Sequence, residues 1–459
     1  MLVAGVDSST QSTKVVLCRA DDGTVVAQAS APHPDGTECD PRHWWTALGE
    51  VRELLERADA VAVAAQQHGM VALDSGGEVV RDALLWNDTR SAPQARALVE
   101  EFGGPKAYAE RAGSVPLAAF TVSKLRWMAE AEPANAGRTA AVLLPHDWLT
   151  WRLGAHGYVT DRGDASGTGY WSPGEGRYLP DVLAAALGHE AELPRVAGPG
   201  ETVGETGWGA ALAPGTGDNM GAALGLGLQE GDVVVSIGTS GTAFAVSDRP
   251  AADPGGFVAG FADATGRFLP LVCTLNAARV LSSAARMTGT DLDGLSAAAL
   301  AAGAGAGGVT MLPYLDGERT PDRPSATGVV SGLTTANATP ENLARAAVEA
   351  LLCSLADAVD HLAAQGAAPR RTLLVGGGAR SEAVRRLAPA IFGTPVTVPE
   401  PGEYVALGAA RQAAWALAGT DGPSAWPAPP STHHVADPAD VSAAAGVRER
   451  YAALRDATA

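Results

Sequence analysis

Residues 3–18 read VAGVDSSTQSTKVVLC, in which two apolar runs flank a polar, hydroxyl-rich segment. The pattern predicts a strand over 3–6, a turn over 7–13 and a returning strand over 14–18, followed by a third strand over 24–27. Backbone amides and hydroxyls at such a hairpin tip can hold a phosphate, and Lys14 adds a positive charge. An ordinary hairpin turn is the equally weighted alternative.

A second segment repeats this arrangement. Residues 232–237 predict a strand, 238–241 a small polar turn and 242–246 the returning strand. Two hairpins with hydroxyl-rich tips, one opening each half of the chain, predict a duplicated architecture whose two lobes bind the same phosphates. The glycine-rich run before Asp232 places the boundary near residue 230.

Three consecutive glycines, Gly376, Gly377 and Gly378, join a predicted strand over 371–375 to a predicted helix that begins at Glu382. Such a loop leaves room for a bulky ligand close to the backbone, and the helix N-terminus favours anions. The sequence contains no G-x-x-x-x-G-K-[ST] motif, which excludes a P-loop. No predicted helix follows the first strand, as a Rossmann dinucleotide site would require.

The sequence GTGDN at residues 215–219 opens a glycine-dense run that continues with alanine and leucine. Glycine lets the backbone approach a ligand, so Asp218 could accept a proton from a substrate hydroxyl. Alternatively, Asp218 caps a helix that starts at Asn219 or Met220. From these residues alone, both interpretations stay open.

Polar side chains also follow predicted strands in the first half of the chain. Gln67 and His68 come after an apolar run over 61–65, and Trp86 follows a leucine pair. Amide, imidazole and indole groups suit a polyhydroxylated ligand, because they supply donors, acceptors and a stacking face. A structural role is at least as common as a ligand contact for a histidine such as His68.

The composition limits the classes of partner. The formal net charge is -18, from 33 basic and 51 acidic residues, which disfavours nucleic acid and anionic membranes. The four cysteines form no C-x-x-C pair and lack zinc-ligand spacing. The N-terminal residues have no basic region before an apolar one, so we expect no signal peptide, reduced thiols and a cytoplasmic protein. The uncharged stretch over 294–314 is weakly apolar and contains Pro313, so it predicts a helix and a glycine loop rather than a membrane span.

Taken in order, several motifs resemble the FGGY family of carbohydrate kinases, and within it the xylulokinases, over nearly the whole chain. Their order along the chain is more specific than any single motif. The motifs lie at 7–10 with Lys14, 37–41 with Trp44 and Trp45, 67–69, 85–88 with Arg90, 145–149, 164–168, 317–321 and 328–349.

The resemblance implies an α/β fold of the two-lobed actin-like (ribonuclease H-like) ATPase type with a central cleft. It implies an N-terminal lobe over 1–229, with the sugar site and the first phosphate hairpin, and an ATP-binding C-terminal lobe over 230–459. By the same resemblance, Asp218 is the catalytic base. The implied sugar contacts are Gln67, His68, Trp86, Asp218 and Asn219. The implied contacts to ATP are Thr10, Lys14, Gly238, Thr239, Ser240, Gly377 and Gly378, with Asp7 near Mg²⁺ through water.

The implied reaction is the ATP-dependent phosphorylation of D-xylulose to D-xylulose 5-phosphate, with Mg²⁺. D-xylulose and MgATP are therefore the expected partners, a homodimer is one possible assembly, and we expect neither nucleic acid nor membrane. A kinase for ribulose, gluconate or glycerol is one alternative. An actin-like ATPase that acts on no sugar is the other.

Three positions depart from the family pattern. Ser9 stands where the family often has glycine, so the first hairpin must turn without one, and we expect slightly weaker nucleotide binding. Gln67 stands where some relatives have methionine, and Ala119 departs from the usual N-terminal signature. None of the three touches the expected base.

Overall fold

The computed structural model describes residues 1–458. In this part of the chain the strands are, in order, β1 Leu2–Ser8, β2 Ser12–Arg19, β3 Val25–Pro32, β4 Glu38–Cys39, β5 Ala60–Ala65, β6 Val71–Leu73, β7 Ala83–Leu84, β8 Ala141–Leu143, β9 Val159–Thr160, β10 Trp171–Ser172, β11 Arg177–Tyr178, β12 Arg195–Val196, β13 Gly204–Glu205, β14 Ala211–Leu212, β15 Thr216–Gly217, β16 Asp232–Ile237, β17 Gly241–Ala245, β18 Ala259–Ala262, β19 Phe268–Thr274, β20 Thr310–Leu312, β21 Val329–Ser331, β22 Arg371–Val375, β23 Val396–Pro399 and β24 Ser431–His434.

The α-helices are, in the same order, α1 Pro41–Glu50, α2 Arg52–Leu55, α3 Ala92–Glu101, α4 Gly104–Ala112, α5 Thr121–Ala131, α6 Pro133–Arg138, α7 Pro145–Leu153, α8 Arg162–Ser166, α9 Pro180–Leu187, α10 Asp218–Gly225, α11 Ala278–Thr288, α12 Leu292–Ala301, α13 Pro340–Ala364, α14 Glu382–Phe392, α15 Tyr404–Ala418 and α16 Pro438–Ala457. Short 3₁₀ turns lie at Ala306–Gly308 and Gly377–Arg380.

The chain divides into two compact units. The first unit comprises Met1–Leu228, Ser247–Leu269 and Gly402–Ala428. The second comprises Gln229–Val246, Pro270–Pro401 and the chain from Pro429 onward. The assignment of sugar binding to 1–229 and of ATP binding to 230–459 stays a prediction.

The first unit is built on a sheet with the strand order β13-β14-β5-β1-β2-β3, and β15 also pairs with β5. β1, β2 and β3 form an antiparallel meander, and β5 runs parallel to β1 on its other side. Alternate residues of these strands point to opposite faces. One face packs against the alanine-rich side of α15, and the other packs around Trp44 and Trp148. The sheet is therefore covered on both sides, as an α/β unit requires.

The second unit repeats this plan. Six of its strands run in the order β19-β17-β16-β22-β23-β24. β16 and β17 form an antiparallel hairpin, and β22 runs parallel to β16, as β5 does to β1. The long helix α13 packs against β17 and against α11, α12 and α14. The predicted α/β class and the duplicated architecture are confirmed.

Several predicted boundaries also match. The strands at 232–237 and 371–375 have the expected ends, because each apolar run stops at a glycine-containing turn. The final helix begins at Pro438, since Asp437 caps it and a proline suits the first helical position. The stretch over 294–314 contains the end of α12, a 3₁₀ turn and β20. No helix among the described residues is long and apolar enough to cross a bilayer, and all four cysteines are free.

Glycines bring the helix that begins at Asp218 into backbone contact with α15. A Cβ atom added to Gly408 would lie 1.8 Å from the carbonyl oxygen of Gly221, and one added to Gly225 would lie 2.1 Å from that of Tyr404. These distances leave no space for a methyl group on either helix. The position of α10 in the first unit therefore depends on these glycines.

Candidate active site

Three strands of the first sheet end side by side. β1 and β15 both pair in parallel with β5, so that Ser8 and Gly217 lie opposite Ala65. The segments that follow these strands, including Asp218 after β15 and Gln67 after β5, therefore emerge at the same edge of the sheet. In α/β sheets, ligands bind beyond the carboxyl ends of parallel strands. The edge is a candidate substrate site.

Asp218 is the first residue of α10, and Gly217 is the N-cap. Its Oδ1 accepts hydrogen bonds from the backbone N–H of Asn219, at 2.7 Å, and from the Asn219 Nδ2, at 2.8 Å. A capping carboxylate would precede the helix and accept from an amide two or three residues on. The alternative that Asp218 caps a helix starting at Asn219 or Met220 is therefore wrong. Both bonds restrain the carboxylate through a single oxygen.

The charge of Asp218 is sensitive to its surroundings. The side chain keeps some exposed surface, but burial and the nearby Asp7 carboxylate raise the pKa of Asp218 to about 7, while bonds from Asn219 oppose the rise. Burial also raises the pKa of Asp7 to about 6, although Ser9 and Lys14 lower it. Such a carboxylate gains and loses its proton near neutral pH, as a general base must. The two acids also create a negative region that a cation would relieve.

Gln67 contacts the residue before Asp218, and His68 contacts the C-cap residue that ends α8. The Gln67 side chain packs against Gly217, where an added Cβ would lie 2.8 Å from Gln67 Cγ. The ring Nδ1 of His68 lies 2.6 Å from the carbonyl oxygen of Gly167. Since a carbonyl only accepts, Nδ1 carries a proton there, and Nε2 is the acceptor in the neutral ring. The structure thus brings Gln67 to the Asp218 loop and orients the His68 imidazole.

Trp86, which the resemblance assigns to the sugar, contacts Thr10, which it assigns to ATP. Its indole Nε1 donates a hydrogen bond to Thr10 Oγ1 at 2.8 Å, while 39% of the side chain stays exposed. Lys14, by contrast, lies in an ion pair with Glu403, at 2.7 Å between Nζ and Oε2. This ion pair already neutralises part of the Lys14 charge. The contact of Lys14 with ATP stays a prediction.

The first hairpin turns without the glycine that the family often has. Ser9 does not adopt a positive φ, since the non-glycine residues that do so in the described chain are His68 and Ala306. Its hydroxyl donates to Asp7, and its carbonyl oxygen lies 2.9 Å from His33 Nδ1. Ser9 therefore holds the carboxylate that the resemblance places near Mg²⁺.

Buried polar side chains contact the loop that precedes Asp218. Asp161 caps α8 and also accepts a hydrogen bond from Thr216 Oγ1 at 2.8 Å, two residues before Asp218. His146 lies between Asp164, 2.6 Å from its Nδ1, and Asp147, 3.3 Å from its Nε2. Burial lowers the pKa of His146, but the carboxylates of Asp147, Asp164 and Asp161 outweigh it and raise the pKa to about 9. The sequence offered His146, Asp147 and Asp164 only as parts of motifs, without a role, and did not single out Asp161.

The second unit brings its two glycine-containing turns together. The turn that contains Gly238 follows β16, and the loop that begins at Gly376 follows the parallel neighbour β22. A Cβ atom added to Gly376 would lie 2.7 Å from an Ile237 atom, and one added to Gly378 would lie 2.2 Å from another. A Cβ atom added to Gly377 would have no neighbour within 4 Å. Two of the three glycines thus allow close packing, and Gly377 alone has the open face that a ligand could use.

A cavity of about 550 Å³ in the second unit contains Thr239 and one polar side of α11. Arg279, Ser282, Ser283 and Arg286 all line it, because positions three, four and seven apart share one side of a helix. Arg279 lies 3.5 Å from Asp316, whereas Arg286 has no carboxylate within ion-pair distance among the described residues. The arginines and serines of this cavity could hold an anion, although Asp316 also lines it. The repeat of serine and arginine along 279–286 was the signal that sequence reasoning missed.

Comparison with known proteins decides the family. The model of the N-terminal domain of the FGGY family of carbohydrate kinases matches residues 2–231, and the model of its C-terminal domain matches residues 233–417. This chain belongs to the FGGY family of carbohydrate kinases. The predicted family and the expected sugar-kinase activity are confirmed.

Three known proteins illustrate the range of similarity. A xylulose kinase from Streptomyces coelicolor is 49% identical over 437 residues, which cover 92% of this chain and 89% of the relative. The solved structure of a xylulose kinase from Bifidobacterium adolescentis superposes with a TM-score of 0.92, at 45% identity and 99% coverage of both chains. A gluconate kinase from Lactobacillus acidophilus gives a TM-score of 0.90 at 23% identity, covering 99% of this chain and 98% of its own. The last likeness concerns the fold alone.

Proposed function

We propose that this FGGY kinase transfers the γ-phosphoryl group of MgATP to D-xylulose and so forms D-xylulose 5-phosphate and ADP. The observation that carries the proposal is Asp218, a carboxylate with a pKa of about 7 at a strand-end site beside Gln67. The 49% identity to a xylulose kinase over most of the chain supports D-xylulose as the acceptor.

In the proposed reaction, Asp218 orients the acceptor hydroxyl and takes its proton. The Asn219 bonds hold Oδ1, which leaves Oδ2 as the atom that accepts the proton. The hydroxyl oxygen forms a bond to the γ-phosphorus, the bond from that phosphorus to the β–γ bridging oxygen breaks, and ADP leaves. Such a transfer relies on positioning and charge stabilisation more than on covalent chemistry by the protein. We assign the sugar contacts to Gln67, His68, Trp86 and Asn219, together with Asp218.

For the nucleotide, we assign the phosphate contacts to Thr10, Gly238, Thr239 and Ser240. We place the adenosine at Gly377 and Gly378, and Lys14 near the phosphates. The open face of Gly377 supports its role, and the hydroxyl groups of the turns can donate to phosphate oxygens.

The paired acids Asp7 and Asp218 fit a site near Mg²⁺, because a cation would stabilise both charges. We therefore assign Asp7 to hold a water of the Mg²⁺ that accompanies ATP. When bound, Mg²⁺ neutralises charge on the phosphate oxygens. Ser9 keeps the Asp7 carboxylate in place through its hydroxyl.

The decisive experiment measures ADP release from MgATP in four separate assays, with D-xylulose, D-ribulose, D-gluconate or glycerol as the acceptor. We expect kcat/KM for D-xylulose to exceed the others by at least about tenfold, since a few pocket groups can discriminate to this extent. Preference for another sugar would keep the mechanism and replace the substrate. ATP turnover that no sugar stimulates would reject the proposed reaction.

The pH dependence tests the role of Asp218 without removing it. Only the deprotonated carboxylate accepts a proton, so we expect kcat/KM for the sugar to fall as pH decreases through about 7 and to level off above it. Because Asp7 raises the pKa of Asp218, Asp7→Asn should move this midpoint to lower pH. Asp248→Asn, at an exposed ion pair, should leave it in place. A midpoint near pH 4 in the unmodified protein would contradict the assignment.

A second prediction tests the cavity that contains Thr239. Arg286→Gln removes a positive charge with no carboxylate partner in the described chain, so we expect KM for ATP to rise about three- to tenfold while KM for the sugar stays the same. The matched control is Arg370→Gln, which changes a mostly exposed arginine of the same unit. An unchanged KM for ATP in Arg286→Gln would show that nucleotide does not use this cavity.

A further inference from the structure

Lys124 is a lysine that is completely buried in the first unit. It lies in the first turn of α5, and no carboxylate of the described chain is within ion-pair distance of its Nζ. Instead, Nζ donates hydrogen bonds to the backbone carbonyl oxygens of His68, at 2.9 Å, and of Ala119. Burying an amine without an ion pair costs free energy of folding, and here only hydrogen bonds to carbonyl oxygens offset that cost. A group buried at such a cost is a candidate for a specific role.

The carbonyl that Lys124 holds belongs to a residue with an unfavourable backbone. His68 has a φ of +67°, in the left-handed region that residues with a Cβ rarely adopt. Its carbonyl oxygen also accepts a hydrogen bond from Thr121 Oγ1 at 3.2 Å, from the same helical turn as Lys124. Two donors on one helix therefore hold the peptide that follows His68 in a single orientation.

The ring of His68 is held as firmly as its backbone. Its Nδ1 contacts the carbonyl oxygen of Gly167, and the ring packs against Phe120 and Phe261 with centroids 4.7 and 5.6 Å away. The imidazole is therefore fixed by contacts to its own ring, while the His68 backbone is fixed by the contacts to its carbonyl. Strained residues of this kind persist where surrounding contacts over-determine them, and they cluster at functional sites.

We propose that Lys124 is a positioning residue for the sugar site: its Nζ, through the His68 carbonyl, holds His68 in the conformation that presents the imidazole to a substrate hydroxyl. The inference rests on the proposed function, which assigns His68 to the sugar. Lys124 itself touches neither the sugar nor the phosphates. Thr121 assists through the same carbonyl.

The contact does not depend on the charge of the amine. Burial lowers the pKa of Lys124 to about 7, with Asp88 opposing the change. A neutral amine keeps two N–H groups and an ammonium has three, so either form can donate to both carbonyls. The positioning effect therefore persists on both sides of neutral pH.

The test measures dissociation constants of D-xylulose and ADP for Lys124→Met, which keeps the length of the side chain and removes the donor. We expect Kd for D-xylulose to rise about tenfold or more and Kd for ADP to stay within about twofold, since of the two carbonyls that lose their donor, only that of His68 belongs to an assigned sugar contact. The control is Lys106→Met, at a lysine whose side chain is 78% exposed, and both constants should stay unchanged there.

A double-mutant cycle separates positioning from general stability. His68→Asn removes the ring but tolerates the left-handed backbone, so adding Lys124→Met to it should raise Kd for D-xylulose by less than about twofold. Full additivity of the two changes would overturn the proposal. If Lys124→Met does not fold, Thr121→Val decides: we expect about a threefold higher Kd for D-xylulose, and no change would overturn the proposal.

The same data distinguish this inference from the proposed function. If the unmodified protein does not bind D-xylulose, the proposed function fails, and with it the basis of the inference. If the unmodified protein binds D-xylulose and Lys124→Met binds it equally tightly, the inference alone fails.

Discussion

Asp218→Asn is expected to lower kcat with D-xylulose by about 10²- to 10⁴-fold, the usual contribution of a general base. Asparagine has the shape of aspartate, and its side-chain oxygen can still accept the two hydrogen bonds from Asn219. It cannot take up the proton of the hydroxyl at neutral pH. We therefore expect Kd for D-xylulose to change little, so that the loss falls on kcat.

Folding provides a second readout for the same variant. Because burial and Asp7 raise the pKa of Asp218 to about 7, its charge costs stability in full above that pH; the cost shrinks as pH falls below 7 and is gone only near the ordinary pKa of about 4. A neutral asparagine avoids it, so we expect Tm at pH 8 to be equal to or higher than that of the unmodified protein. Asp248→Asn serves as the surface control and should keep full kcat. Retention of kcat within about tenfold would reject Asp218 as the base.

Gly408→Ala is expected to produce the largest loss of stability. The new Cβ would lie 1.8 Å from the carbonyl oxygen of Gly221, so α10 or α15 must move away. Backbone atoms cannot rotate aside as a side chain can, and we expect the cost to reach about 3 kcal/mol or more. Thermal unfolding should show this as a Tm lower by at least about 5 °C.

The same displacement should reach the candidate site, because α10 begins at Asp218. We expect kcat of Gly408→Ala to be reduced even at temperatures where the protein is folded. Gly137→Ala is the matched control, since an added Cβ there meets nothing within 4 Å and the residue lies in the exposed part of α6. The control should keep Tm or raise it slightly. A Tm of Gly408→Ala within about 2 °C of the unmodified protein would contradict the packing argument.

The sequence predicted the elements whose signals are local. β16 and β22 have the ends expected from their apolar runs and the glycines that follow, because each signal involves residues that are neighbours along the chain. The duplicated hairpins predicted the shared plan of the two units for the same reason. The ordered motifs identified the family, and with it the kinase activity.

The start of α10 was less accessible to local reasoning. A glycine followed by aspartate is compatible with either a capping aspartate or a helix that begins at it. The choice depended on the pairing of β15 with β5, which fixes Gly217 as the last residue before the helix. The separation of Ala65 and Gly217 along the chain hides this pairing from any local pattern.

The sequence by itself therefore determined the α/β class, the repeated hairpins, the family and the candidate base. Only the tertiary structure decided how the site is supported: Lys124 on the His68 carbonyl, Thr216 on Asp161, and Gly408 against Gly221. The physical reason is that each of these contacts joins residues from distant parts of the chain. Their energies depend on burial and close packing, which a local pattern of residue types does not specify.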